Sequence, residues 1–205
     1  MVSALALALA SMAGGTAGSE DAAPKPISAY AEGYWYWEPK ADDTVLVIGS
    51  VDVKNIHIEA RYNYENFRTA SVFLGRNFDV RLWDPLELTI TPMIGVVLGR
   101  TRGAAPGLEI EAKLWKLELT SESEFVWDGE TPDASFLYNW SELTIRPVSF
   151  LRAGFVLQRT RFLERTTVDP GALVGFDIGP IRLAAYSFEP WNADRFYAFA
   201  IGGGF

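Results

Sequence analysis

The chain has 205 residues, is 49% hydrophobic yet has a mean hydropathy of only +0.07, and carries a formal charge of −8. Apolar and polar residues are therefore interleaved, no run reaches the roughly 18 apolar residues of a membrane-spanning helix, and a nucleic-acid binder, which needs a basic face, is excluded. The absence of cysteine excludes a disulfide scaffold, a cysteine-based zinc site and a lipid-modified amino-terminal cysteine.

In chain order, ALALALASMAGG (4 to 15) is a short apolar run followed by small residues. It reads as a secretory signal over residues 1–18, cleaved near Gly18 and too short to span a bilayer. The positive charge that normally precedes such a run is missing, a departure that a start further upstream would account for; a disordered Ala/Gly tail is the alternative. Residues 19–26, SEDAAPKP, read as a flexible linker.

From residue 27 onward the pattern changes to strict alternation. IHIEARYNYE places Ile56, Ile58, Ala60, Tyr62 and Tyr64 against His57, Glu59, Arg61, Asn63 and Glu65. In LELTITPMIGVVLG, Leu86, Leu88, Ile90, Pro92, Ile94, Val96 and Leu98 share one face. LEIEAKLW sets Leu108, Ile110, Ala112 and Leu114 opposite Glu109, Glu111, Lys113 and Trp115. A period of two is a strand signature, and the three-to-four period of a helix is missing. About twelve strands are predicted, beginning near residues 28, 44, 56, 69, 86, 108, 117, 135, 151, 172, 181 and 195.

The connections alternate in length. Lys54-Asn55, Trp115-Lys116, Pro147 to Phe150 and Ile178 to Pro180 are tight, the one around RLWDP is intermediate, and GRTRGAAPG, WDGETPDA, RFLERTTVDPG and EPWNAD are longer. Short turns at one end, longer loops at the other and an even strand number describe an antiparallel up-and-down transmembrane β-barrel over residues 27–205. Twelve tilted strands of roughly ten residues with about five per connection need about 180 residues, leaving no second domain or globular plug. A lipocalin-like barrel or soluble sandwich also alternates, but it turns its apolar face inward. Aromatics at strand ends weigh against that alternative. Trp35, Trp37, Tyr62, Tyr64, Phe125 and Trp127 precede long loops and suit an outer interfacial girdle, with Trp83 and Phe205 at the inner one.

The last segment, FYAFAIGGGF, puts Tyr197, Phe199, Ile201 and Phe205 on one face. This resembles the carboxy-terminal assembly signal of bacterial outer-membrane β-barrels. The resemblance implies recognition by the barrel assembly machinery, a surround of outer-membrane lipid, and passage through the periplasm of a Gram-negative cell.

The polar face then becomes the lumen. Glu87, Glu109, Glu111, Glu118, Glu122 and Glu124, relieved by Lys113, make one wall acidic, and Arg146, Arg152, Arg182 and Arg195 make the other basic. In the hairpin turned at Trp115-Lys116, Lys113 is predicted opposite Glu118 and Glu109 opposite Glu122, a like-charge pair that calls for water or a cation. Tyr30, Tyr34, Tyr36, Trp115 and Tyr186 also point inward by alternation. The leading expectation is a narrow diffusion channel for small polar or charged solutes, filtered by a transverse field. The alternative is a barrel filled by the same residues as a salt-bridge network, a structural or scaffold element without conduction.

An outer-membrane hydrolase is the rival of a different class. Asp52 is predicted to face His57, with Ser50 diagonal to it, the residue types of nucleophilic catalysis. A cross-strand ion pair is the simpler account, so no catalytic residue is assigned. One histidine and no cysteine leave few transition-metal geometries, DGETPD (128 to 133) lacks the ligand spacing of a calcium loop, and no cofactor or metal is expected.

Overall fold

In the computed structural model the described residues are 27–204; the expected signal over 1–18, the linker over 19–26 and Phe205 lie outside them. The strands are β1 (Ile27–Trp37), β2 (Thr44–Val53), β3 (Ile56–Tyr62), β4 (Thr69–Arg76), β5 (Phe78–Trp83), β6 (Leu86–Gly99) and β7 (Gly103–Leu114). They continue with β8 (Leu117–Asp128), β9 (Phe136–Val148), β10 (Leu151–Phe162), β11 (Thr166–Ile178), β12 (Ile181–Phe188) and β13 (Phe196–Gly204). One 3-10 turn, Pro132–Ala134, lies between β8 and β9. β4 and β5 run along the same neighbour without loss of register, Gly75 opposite Met93 and Phe78 opposite Ile90, with Asn77 between them. They form one stave, so the barrel has twelve, the predicted number. All pairings are antiparallel, and the ladder from β1 to β13, with Tyr36 opposite Ala198, closes the sheet so that no long edge is left unpaired.

One end carries five two-residue turns, at 54–55, 84–85, 115–116, 149–150 and 179–180. Lys54 (φ 58°), Trp115 (φ 55°) and Gly179 (φ 61°) adopt the left-handed conformation that matches a tight turn to the twist of its strands. The other end carries the loops 38–43, 63–68, 100–102, 129–135, 163–165 and 189–195. Two loops are shorter than predicted, because β7 begins at Gly103 rather than near 108 and β11 at Thr166 rather than near 172. Prolines concealed those strands. Pro106 sits where the β7–β8 ladder skips two residues, and Pro170 pairs with Leu157 but lies one residue beyond the β11–β12 ladder. A missing N–H is tolerated where one side of the strand is unpaired.

Side chains alternate in the sense that a soluble barrel would reverse. Val45, Val47, Val72, Leu74, Ile94, Val96, Leu98 and Phe155 face outward and are exposed, Phe155 at 72%. So continuous an apolar belt far exceeds what a water-facing surface carries, and it is the surface that lipid covers. Trp35 stacks on Phe199 (5.5 Å between ring centres) and Trp37 on Tyr197 (5.4 Å) at the loop end, where Tyr62, Phe125 and Trp127 also face outward. Trp83 and Phe150 face outward at the turn end.

Two aromatics are not where alternation put them. Trp115 occupies a turn rather than a strand and is 80% exposed instead of lining the lumen. Tyr64 is buried inside the barrel instead of joining the girdle. The cause is Asn63, whose positive φ of 60° ends the alternation. Asparagine tolerates that conformation, and its side chain fixes it by donating to the Val45 carbonyl (2.8 Å) and accepting from the Arg68 N–H (2.8 Å). The loop therefore folds inward and buries Tyr64 and Glu65.

Candidate functional site

Twelve staves about 4.8 Å apart and tilted by roughly 40° give a backbone cylinder about 11–12 Å in radius. Long side chains from opposite walls meet across such a width, so lumen-facing residue size decides whether water passes. On the loop side of mid-height the inward residues are aromatic. Trp140 packs edge-on against Tyr186 (5.5 Å) and Phe188 (5.3 Å), Phe188 stacks on Phe196 (4.5 Å), Tyr34 lies 6.2 Å from Tyr186, and Tyr64 meets Tyr138 at 6.0 Å. Tyr34 and Tyr186 were predicted inward and are; Tyr36 is buried in the same layer.

Below this layer two arginines act as nodes. Arg61, on β3, has a side chain with 0% exposure. Its Nε donates to Glu59 Oε1 (2.5 Å), its Nη1 lies 2.6 Å from Glu122 Oε1 and 3.1 Å from Glu124 Oε2, and its Nη2 lies 3.8 Å from Glu109 Oε1. The guanidinium is sandwiched by the rings of Tyr64 (3.9 Å) and Phe73 (4.3 Å), and the Tyr64 phenol also donates to Glu122. Arginine suits this position because its planar fork serves several carboxylates while its faces stack on rings. Phe73 reaches it because Gly95 opposite leaves room; a Cβ there would lie 2.5 Å from the Phe73 ring. At the second node Arg152 Nη1 donates to Glu142 Oε2 (2.9 Å), and Glu142 Oε1 accepts from Trp140 Nε1 (3.0 Å) and Tyr186 OH (2.9 Å). Glu32 accepts from Tyr34 (3.1 Å) and Tyr30 (3.2 Å).

Toward the turn end Arg146 bridges Glu118 (3.1 Å) and Asp177, while Arg182 Nε lies 3.7 Å from Asp177. Lys113 lies 3.9 Å from Glu111. Beside these groups a cavity of about 230 Å³ opens at the turn end, bounded by exposed Asp79 at its mouth and by buried His57, Glu59 and Glu109 at its floor.

The predicted lumen residues divide accordingly. Glu109, Glu122, Glu124 and Arg152 are buried, and Glu111, Lys113, Glu118, Arg146 and Arg182 are partly buried on the inner face. The register places Glu109 opposite Glu122 and Lys113 opposite Glu118, as predicted. Glu87 is instead an exposed rim residue 3.8 Å from Arg81, near the short turn at 84–85. Arg195 is exposed in the loop that precedes β13, outside the alternation that would have aimed it inward. Opposed acidic and basic walls are not what the pairing produces: Arg61 stands among the acids, and Arg146 and Arg152 have carboxylate partners of their own. Arg61, Glu59, Glu142, Glu32 and Asp177 were not singled out in the sequence. The same alternation places Glu59 and Arg61 on the polar face, but nothing in it says which charges are buried.

Asp52 faces His57 in the β2–β3 register, with His57 Nδ1 2.9 Å from Asp52 Oδ1. His57 Nε2, the atom a serine nucleophile would need, makes no hydrogen bond and lies 3.9 Å from Glu59 Oε2. Tyr197, Phe199 and Ile201 alternate on β13 with buried Ala198 and Ala200.

No family model and no curated protein matches the chain. Among solved structures it is similar to a KdgM porin, with a TM-score of 0.62 over 86% of this chain and 99% of that one, at 8% sequence identity. At that identity the likeness speaks for the fold, and the chain has the fold of a porin-like transmembrane β-barrel of twelve antiparallel staves.

Proposed function

We propose that the protein is an outer-membrane barrel whose lumen is closed at rest, a filled structural barrel rather than an open pore. One observation carries this reading: Arg61 crosses the middle of the lumen fully buried, held by three carboxylates and two aromatic rings. A solute would have to break that cluster and pass the aromatic layer around Trp140. Because each partner is desolvated, stripping one away leaves a buried charge uncompensated. Location in an outer membrane rests on the apolar outer belt, the aromatic girdles and the porin-like fold.

A narrow diffusion channel is the second reading. It is favoured by the cavity of about 230 Å³ at the turn end and by the likeness to a protein named a porin. Planar-bilayer recording of the purified chain separates the two. The closed-barrel reading expects no steady single-channel conductance, and a stable unitary conductance at low voltage would refute it in favour of the channel.

A further inference from the structure

The floor of the turn-end cavity brings together three metal-ligating side chains. His57 and Glu59 on β3 and Glu109 on β7 are all buried, and each offers one ligand atom within 4.8 Å of the others. They come from different parts of the chain: Glu59 follows His57 by two and shares its face, while Glu109 reaches in from the far side of β4 and β6.

Acidity alone would not make this a site, but the imidazole is oriented as a ligand. Its Nδ1 is bonded to Asp52, which also accepts from Asn77 Nδ2 (2.8 Å), and Asn77 Oδ1 accepts in turn from Thr91 Oγ1 (2.8 Å). A proton on Nδ1 leaves the Nε2 lone pair aimed into the cluster. A carboxylate behind an imidazole is the arrangement that fixes tautomer and ring angle in metal-binding histidines. His57 Nε2 and Glu109 Oε1 are both buried and without a hydrogen-bond partner. Buried polar atoms without partners are rare and call for a missing group. Glu59 is divided between two neighbours: Oε1 takes the Arg61 Nε, and Oε2 turns toward His57 Nε2 at 3.9 Å. A cation bonded at about 2.0–2.2 Å holds adjacent ligand atoms roughly 3–4 Å apart. The gap between these two atoms has that size.

We propose that His57, Glu59 and Glu109 bind a divalent transition-metal cation of the zinc or manganese class. One imidazole and two carboxylates suit such ions better than calcium, which prefers six to eight oxygens. The cation enters from the turn end, where the cavity is open, and keeps water in its remaining coordination positions. It also offsets the excess of carboxylates around Arg61, the role that the facing pair Glu109 and Glu122 leaves open. The site adjoins the closure, since Glu59 also holds Arg61 and Glu109 lies 3.8 Å from it, but metal binding is measured independently of conduction.

The test uses the folded full chain in detergent, stripped with a chelator and titrated calorimetrically with Zn²⁺. One saturable site per chain is expected. His57→Ala should abolish it, and Asp52→Asn, which removes only the orienting carboxylate, should weaken it about 10–100-fold. In case a variant fails to fold, zinc-edge X-ray absorption on the unaltered protein gives the answer directly, with a shell of one imidazole and oxygens expected. No saturable binding, an all-oxygen shell, or undiminished binding by folded His57→Ala would each overturn the proposal, the last two by marking adventitious binding to surface carboxylates.

Discussion

Replacing Arg61 by methionine separates a filled lumen from a wet one more sharply than any other single change. Methionine keeps a flexible stem between Tyr64 and Phe73 and removes only the charge and the donors. In the structure those donors serve Glu59 at 2.5 Å, Glu122 at 2.6 Å and Glu124 at 3.1 Å, and none of the four side chains is more than 3% exposed. Charge-assisted hydrogen bonds are worth about 1.5–3 kcal/mol each, but the three are not additive, because the freed carboxylates repel one another and take up protons. The expected loss is that of stripping one partner from a buried cluster, about 3–5 kcal/mol. Urea unfolding in lipid vesicles, followed by tryptophan fluorescence, reads it. If the charges were solvated the same change would cost about 0–1 kcal/mol, and removing an obstruction would raise conductance. A variant within about 1 kcal/mol of the parent that conducts more current would refute the closed-lumen argument. Adding Glu122→Gln should return part of the loss, because one unpaired charge leaves with its partner.

Three further outcomes follow from individual contacts. In the metal-free protein Glu122→Gln should cost about 1.5–3 kcal/mol by weakening its 2.6 Å link to Arg61, and Glu109→Gln should cost less, since its Oε1 makes no hydrogen bond and lies 3.8 Å from Arg61; equal costs would contradict the geometry. Gly95→Ala places a methyl 2.5 Å from the Phe73 ring and presses it toward Arg61, for an expected loss of about 1–3 kcal/mol in the same assay. Ile94→Arg, on the outer face midway along β6, should cost about 2–4 kcal/mol in vesicles; no loss would mean that this face does not meet lipid.

The strand order and closure were readable because a period of two survives along most staves and fails only for identifiable reasons. Four of the five short turns were recognisable, at Lys54-Asn55, at Trp115-Lys116 and at the connections bearing Pro147 and Pro180, while the one at 84–85 was read as intermediate and is in fact two residues long. Pro106 and Pro170 masked the outer parts of β7 and β11, because a sequence does not show that one flank of the ladder is open at those points. Tyr64 was lost for a different reason. Alternation counts residues, and the positive φ at Asn63 ends it, so that Tyr64 turns inward beside Glu65. A long hydrophobic loop would have announced itself; a six-residue turn inward does not.

The lumen was harder to read, and the difficulty is physical. Alternation assigns a face, but whether a charge on that face meets water depends on what reaches it from other staves. Glu122 and Glu124 look like an acidic wall until Arg61 arrives from β3, far away in sequence and adjacent in space. Arg152 looks like a basic wall until Glu142, Trp140 and Tyr186 close around it. In a wide porin such charges would stay hydrated and their sign would set selectivity. In a barrel about 11–12 Å in backbone radius, side chains as long as arginine and tyrosine meet across the axis. The same residues then neutralise one another, and the distribution of sign along the chain ceases to predict a field. What survives that pairing is the local excess, four carboxylates gathered around Arg61 with a buried, unpartnered imidazole nitrogen beside them, and it is there that a cation has most to offer.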